Sequence, residues 1–131
     1  MFASLFVLLY VGHLLADYPF QTDHQAAHKA DGGAHGWAAN LLHAGTHVIT
    51  CGAGLLVGAL LLDLPLTLTG ALAALVWIGG THAFIDRRWP VAWWMTHTRQ
   101  AGWAQHGGAA HVDQTAHLAV LALAALVLAA V

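Results

Sequence analysis

Glutamate is absent from this chain of 131 residues, and charge of either sign is scarce: the acidic and basic residues together make up 8% of it. Soluble domains carry roughly 25% charged residues, so a water-facing surface is excluded for most of the length. Four cations against six aspartates, a net charge of −2, offer no basic stripe to track a phosphate backbone, which excludes nucleic acid as a partner. The single cysteine, Cys51, excludes an internal disulfide. Three prolines leave long stretches in which nothing interrupts a helix. The remainder is apolar: 59% of residues are hydrophobic and the mean hydropathy is +0.65. Together these predict an all-α integral membrane protein whose main partner is the lipid bilayer, with residues 1–131 forming one transmembrane domain.

Four apolar segments are expected to span the bilayer as a four-helix bundle, at approximately 2–17, 37–62, 66–86 and 110–131. A span needs about 20 residues, and the first segment is short for one, accommodated by a slight tilt or by local thinning of the bilayer. It has no basic residues before it and no small-residue cleavage site after it, so it is expected to remain as a span rather than act as a signal peptide. Asp63-Leu64-Pro65 predicts a tight turn. The connector from Pro19 to Gly33 is polar. The connector from Arg87 to Gly108 carries Trp89, Trp93, Trp94 and Trp103, residues suited to the headgroup level, so an interfacial segment is expected over 91–104, between the third and fourth spans. All four cations, Lys29, Arg87, Arg88 and Arg99, fall in these two connectors; the positive-inside rule then puts both connectors in the cytoplasm and both termini outside. Gly45, Gly52, Gly54, Gly58, Gly79 and Gly80 are expected to let helices approach closely.

Histidine, by contrast, is abundant, at eleven residues. Five of them combine with three aspartates in pairs separated by four positions: His13/Asp17, His43/His47, His82/Asp86 and Asp113/His117. In a helix that spacing puts both side chains on one face, a turn apart. Each pair lies in a different apolar segment. At about 1.5 Å of rise per residue, His82 lies about 25 Å into the third span, His47 about 23 Å back along the second, His117 about 21 Å from the end of the fourth and His13 about 18 Å into the first. All four pairs therefore fall in the cytoplasmic half of the bilayer, near one plane.

Ionisable groups are costly inside a membrane and persist when they face inward and pair. Hydrogen-bonded His–Asp pairs satisfy part of that need, and a purely structural His/Asp bundle is one reading. A metal satisfies it better. The eight candidate ligands, His13, Asp17, His43, His47, His82, Asp86, Asp113 and His117, suit one or two divalent transition-metal ions. The histidine-rich set favours zinc, with iron or manganese as alternatives. His24, His28, His35, His97, His106 and His111 lie in or beside polar connectors and read as interfacial or solvated, although His24/His28 repeats the four-residue spacing.

At these residues the chain resembles a bacterial membrane family called domain of unknown function 3307. The segments that carry the resemblance are HLLADYPFQT at 13–22, HAGTH at 43–47, THAFID at 81–86 and DQTAH at 113–117. Tyr18, Phe20 and Thr81 depart from the family pattern, which has Phe, Leu and Ser there. The resemblance implies a four-span architecture in a bacterial inner membrane and importance for Gln21 and Gln114 alongside the eight candidate ligands. It brings no activity with it. The layout is also similar to that of small membrane-bound metal-dependent hydrolases.

The leading functional expectation is an intramembrane metal-dependent hydrolase that acts on a lipid-phosphate ester at the cytoplasmic side. A non-ligating aspartate among Asp17, Asp86 and Asp113 would be the general base, with Gln21 and Gln114 orienting substrate or a ligand. Arg87 and Arg88 would grip phosphate, or would simply enforce topology. Two alternatives come from other classes: cation or proton transport through the cluster, in a homo-oligomer, and haem binding by two axial histidines.

Overall fold

The computed structural model describes residues 1–130. It is 83% helical, with no strand among the described residues. In chain order the elements are α1 (Phe2–Asp17), α2 (Asp23–His28), α3 (Gly33–Leu61), α4 (Leu68–Ile85), α5 (Trp89–His97), the single turn α6 (Ala101–Trp103), a kink (Ala104–Gly108) where His106 and Gly107 leave helical geometry, and α7 (Ala109–Ala130). The four longest helices pack in a ring, α1 and α4 each touching both α3 and α7. Outside that ring, α2 packs on α3, and α5 lies against α4 and α7.

Local chemistry explains where these helices start, and why several starts differ from expectation. α4 begins at Leu68 rather than near 66 because Thr67 caps it, its hydroxyl accepting the Gly70 N–H at 3.1 Å. α3 begins at Gly33 rather than near 37. There Gly36 lies so close to the Asp31 carbonyl that a Cβ would overlap it, and Gly33 takes a φ of +71°. The expected tight turn at Asp63–Pro65 is instead an open connector over 62–67, with Asp63 in the left-handed region and the Leu64 N–H reaching back to the Gly58 carbonyl. The polar connector after α1 contains a helix of its own, α2. Its first turn is closed by a capping box in which the Thr22 hydroxyl accepts the Gln25 N–H and the Gln25 side-chain Oε1 accepts the Thr22 N–H. The segment expected over 91–104 is not one helix. α5 starts at Trp89 with Pro90 in its first turn, where no N–H is needed, and the chain breaks at Arg99 before α6.

The core is divided by depth. One end of the ring is filled by Leu5, Leu9, Cys51, Leu55, Ala74, Ile78, Leu121 and Leu128. At the other end Val91 and Met95 of α5 pack on Ile85. Outward-facing side chains are apolar as well: Val7, Leu42, Ile49, Leu60, Val76 and Leu126 are all exposed. Helices apolar on every face, with their polar groups turned inward, match lipid as the surrounding solvent. Three stretches are long and apolar enough to cross a membrane: Gly33–Leu61, Leu68–Ile85 and Ala101–Ala130. α1 is apolar but shorter, at 16 residues, or about 24 Å.

Of the glycines expected at helix contacts, Gly54, Gly58 and Gly79 do abut a neighbouring helix or connector and Gly52 lies in ordinary contact range of Leu75 on α4, while Gly45 and Gly80 face open space. A further close approach of α1 to α3 uses Gly12, where a Cβ would stand 3.0 Å from the Cys51 backbone, as near as one on Gly54 would stand to the Leu8 carbonyl oxygen. Backbone cannot yield as a side-chain tip does. Gly12→Leu should therefore destabilise the fold by about 1–3 kcal/mol or more, read as a lowered unfolding midpoint in detergent. Gly45→Leu, which points into open space, should be close to neutral.

Candidate metal centre

Each of the four ring helices turns one polar pair into the interior at the same end. His13 and Asp17 come from α1, His43 and His47 from α3, His82 and Asp86 from α4 and its C-terminal cap, and Asp113 and His117 from α7. The five imidazoles are essentially shielded from solvent, none more than 3% exposed. Ring centroids lie 3.5 Å apart for His47/His82, 4.3 Å for His82/His117, 4.8 Å for His43/His47 and 5.0 Å for both His13/His47 and His43/His82. The structure thus brings all eight sequence-derived candidates into one cluster.

Within the cluster the groups are not equivalent. Asp17, His43, His47 and His82 each offer one ligand atom, all within 4.8 Å of one another, and His82, Asp86 and His117 form a second such group. His82 belongs to both. His13 and Asp113 stand outside both groups and hold their members in place. His13 Nε2 lies 3.1 Å from Asp17 Oδ2, and Gln114 bridges the two, its carbonyl oxygen 3.4 Å from His13 Nε2 and its amide donating to Asp17 Oδ2. His117 Nδ1 donates to the Asp113 backbone carbonyl oxygen at 3.0 Å, with Asp113 Oδ2 3.4 Å away. Such outer partners set the tautomer and aim of a ligating side chain.

Hydrogen bonding within the cluster does not close. His43 Nε2 has Asp17 Oδ1 at 3.3 Å, His47 Nε2 at 3.3 Å, Gln21 Nε2 at 3.2 Å and Lys29 Nζ at 3.2 Å, yet one imidazole nitrogen either donates once or accepts once. His82 Nε2 and His117 Nε2 are buried without a hydrogen-bond partner; His82 Nε2 is only 3.1 Å from Asp86 Oδ2, yet the two atoms make no hydrogen bond. Buried polar atoms left unpaired are expensive. Converging lone pairs of imidazole and carboxylate are the donor set that borderline divalent cations take. The buried His/Asp groups fit a metal ion.

Two contributors, Lys29 and Asn40, were not evident from sequence, and a third, Arg87, has a different part from the one expected. Lys29 places its ammonium 3.0 Å from Asp86 Oδ2, with both side chains largely buried. Its position in a polar connector suggested only a topology marker; its being the one lysine, eight residues after Gln21, was the available signal. Asn40, fully buried, donates to the Lys29 carbonyl oxygen. Arg87, expected to grip phosphate, donates from Nη1 to the Lys29 carbonyl oxygen at 3.0 Å and from Nη2 to the Asp31 carbonyl oxygen, and lies over the Trp37 ring. It fastens the α2 connector to the ring. Arg88 makes no such bond and lines a cavity of about 580 Å³ together with Tyr18, Gln21, Lys29, Asp17, Asp86, Asp113 and Gln114, under Val91 and Met95 of α5.

Against known families, the profile described as Protein of unknown function (DUF3307) matches residues 5–131. No curated protein and no solved structure matches the chain.

Proposed function

Because the chain belongs to the family described as Protein of unknown function (DUF3307), whose description assigns no reaction, we propose a function from the site itself: a metal-dependent hydrolase, embedded in a bacterial inner membrane, that acts on a lipid-phosphate-type ester at the cytoplasmic face. The observation that carries this reading is the cavity of about 580 Å³, which joins two cations, Lys29 and Arg88, to the carboxylates of Asp17, Asp86 and Asp113. An ester whose phosphate rests on the cations has its reacting atoms beside the cluster.

Asp17, His43, His47 and His82, or His82, Asp86 and His117, would hold one or two ions, with zinc favoured and iron or manganese as alternatives. A bound ion supplies Lewis acidity at a phosphoryl oxygen and lowers the pKa of a bound water. The protein's own groups do the rest. Arg88 meets the phosphate with a planar fork of donors, and Lys29 adds a point charge. Gln21 and Gln114, each already on a cluster residue, orient substrate and carboxylate. Asp113 belongs to neither ligand group and reaches the cavity, so it is the aspartate available as general base. α5 shields the site from water, and its half-exposed Trp89, Trp93 and Trp94 rest at the headgroup level.

Hydrolysis is favoured over transport by the far end of the ring. Leu5, Leu9, Leu55, Ile78, Leu121 and Leu128 fill it, where an ion path would need polar groups. The close packing of the imidazoles favours an ion over a macrocycle such as haem. In the test, protein in detergent is incubated with labelled phospholipids and polyprenyl phosphates, with and without chelator. A chelator-sensitive product is expected, with Arg88→Ala raising KM more than it lowers kcat. No product across the panel, together with ion flux in proteoliposomes that is lost in His82→Ala, would replace hydrolysis with transport.

Orientation has its own test. In a Cys51→Ala background, a cysteine at Asp63 should label from the outer face of intact cells. One at Gln25 or Gln100 should label only after the membrane is opened. The reverse pattern would turn the cavity to the outside and change the pool of lipids it meets.

A further inference from the structure

On the surface beside α2, three histidines that the sequence places among solvated residues come together. The ring centroids of His24, His28 and His35 form a triangle with every side 4.9 Å. Asp31 Oδ2 accepts from His28 Nδ1 at 2.7 Å. One ligand atom each from His28, Asp31 and His35 lies within 4.8 Å of the others. We propose that His24, His28, His35 and Asp31 form a second, solvent-facing site for a divalent transition-metal ion of the zinc class, separate from the buried cluster.

Burial does not explain the convergence. His24, Asp31 and His35 are exposed and His28 is half-buried, so each side chain is free to turn into water. The backbone that presents them is nevertheless fixed at several points. The Thr22/Gln25 capping box closes the start of α2. Arg87 holds the carbonyls of Lys29 and Asp31, Asn40 holds that of Lys29 again, and Gly36 lets the Asp31 backbone sit directly against α3. A preorganised frame reduces the ordering cost of binding. Two of the ligands, His24 and His28, occupy one face of α2 at four-residue spacing, and His35 arrives from the first turn of α3.

Three imidazoles and one carboxylate make a nitrogen-rich set that suits zinc, copper(II) or nickel(II) and disfavours magnesium and calcium. Asp31 either ligates directly or keeps its bond to His28 Nδ1 and leaves Nε2 to ligate, the second-shell arrangement common for metal-bound histidine. The two sites stand on opposite sides of one short segment. Lys29, the residue after His28, sends its ammonium inward to Asp86 and His43, while the histidine triangle faces solvent. An exposed site of this kind exchanges its ion with solution, whereas ions in the buried cluster must leave through the protein.

Calorimetric titration of zinc into chelator-stripped, full-length protein in detergent tests the assignment. The His28→Ala/His35→Ala double variant should lose one zinc equivalent relative to the unaltered chain, with helicity by circular dichroism unchanged. Asp31→Asn should weaken that equivalent by about 10- to 100-fold. His82→Ala should leave it intact. This arm reads the surface site even if the buried cluster takes no metal, so the two readings fail separately. Unchanged stoichiometry in the double variant overturns the proposal. So does the loss of one and the same equivalent in both His82→Ala and the double variant.

Discussion

Protein purified in detergent should lose nearly all of its tightly held transition metal when His82 is replaced by alanine, while His97→Ala and His106→Ala leave the content unchanged. His82 is the residue common to both buried ligand groups, so its removal damages both. His47 belongs to one group only, and His47→Ala should leave part of the metal behind. Outer partners give an internal scale. Removing a group that merely orients a ligand costs about 10- to 100-fold in affinity, which is the range expected for His13→Ala through Asp17; Asp113→Asn should cost less, because the Asp113 backbone carbonyl still holds His117 Nδ1. Loss of His82 should exceed the top of that range. His97 and His106 are exposed and bond to backbone carbonyls in their own segments, so they serve as matched controls. Elemental analysis by mass spectrometry after exhaustive dialysis measures all of these. Unaltered protein that is metal-free and folded, with a thermal midpoint that zinc does not move, would remove the metal from the proposal altogether.

The cluster was legible because two simple periodicities carry it. Four-residue spacing fixes which side chains share a helix face, and a constant rise per residue fixes their depth, so the convergence of His13, His47, His82 and His117 follows from counting along apolar segments. The division of labour within the cluster was not legible. Whether His13 ligates or holds Asp17 depends on how α1 is rotated against α7, where Gln114 meets both. That rotation is set by contacts such as Gly12 on the Cys51 backbone, and nothing in the pattern around Gly12 distinguished it from Gly45, which touches no neighbour. Connectors were read least well. α2 is six residues long, too short to register as a periodic segment, and it owes its existence to a capping box and to Arg87 reaching across from the end of α4. Lys29 and Arg87 both read as cytoplasmic charge, although one enters the cluster and the other fastens the connector that delivers it.

That delivery makes Lys29 the second position where a large effect is expected. Its ammonium and the Asp86 carboxylate are 3.0 Å apart, with side chains only 13% and 5% exposed. Breaking a buried pair by removing one partner strands the other charge and costs about 3–5 kcal/mol. Lys29→Met should therefore destabilise chelator-stripped protein by that amount, read from denaturant unfolding in detergent micelles. Asp86→Asn should be similarly costly on its own, since it leaves the ammonium without its counter-charge. The double variant should fall short of the sum of the two by up to about 3 kcal/mol, because the second change has no charge left to strand. Adding zinc should shrink the Lys29→Met penalty, because a divalent ion beside Asp86 supplies the positive charge that the ammonium otherwise provides. In Asp86→Asn the same addition should recover little. Single effects that add to within about 0.5 kcal/mol in the double variant would show that Lys29 and Asp86 do not form a coupled pair, and a Lys29→Met penalty indifferent to zinc would separate the lysine from the metal-binding groups.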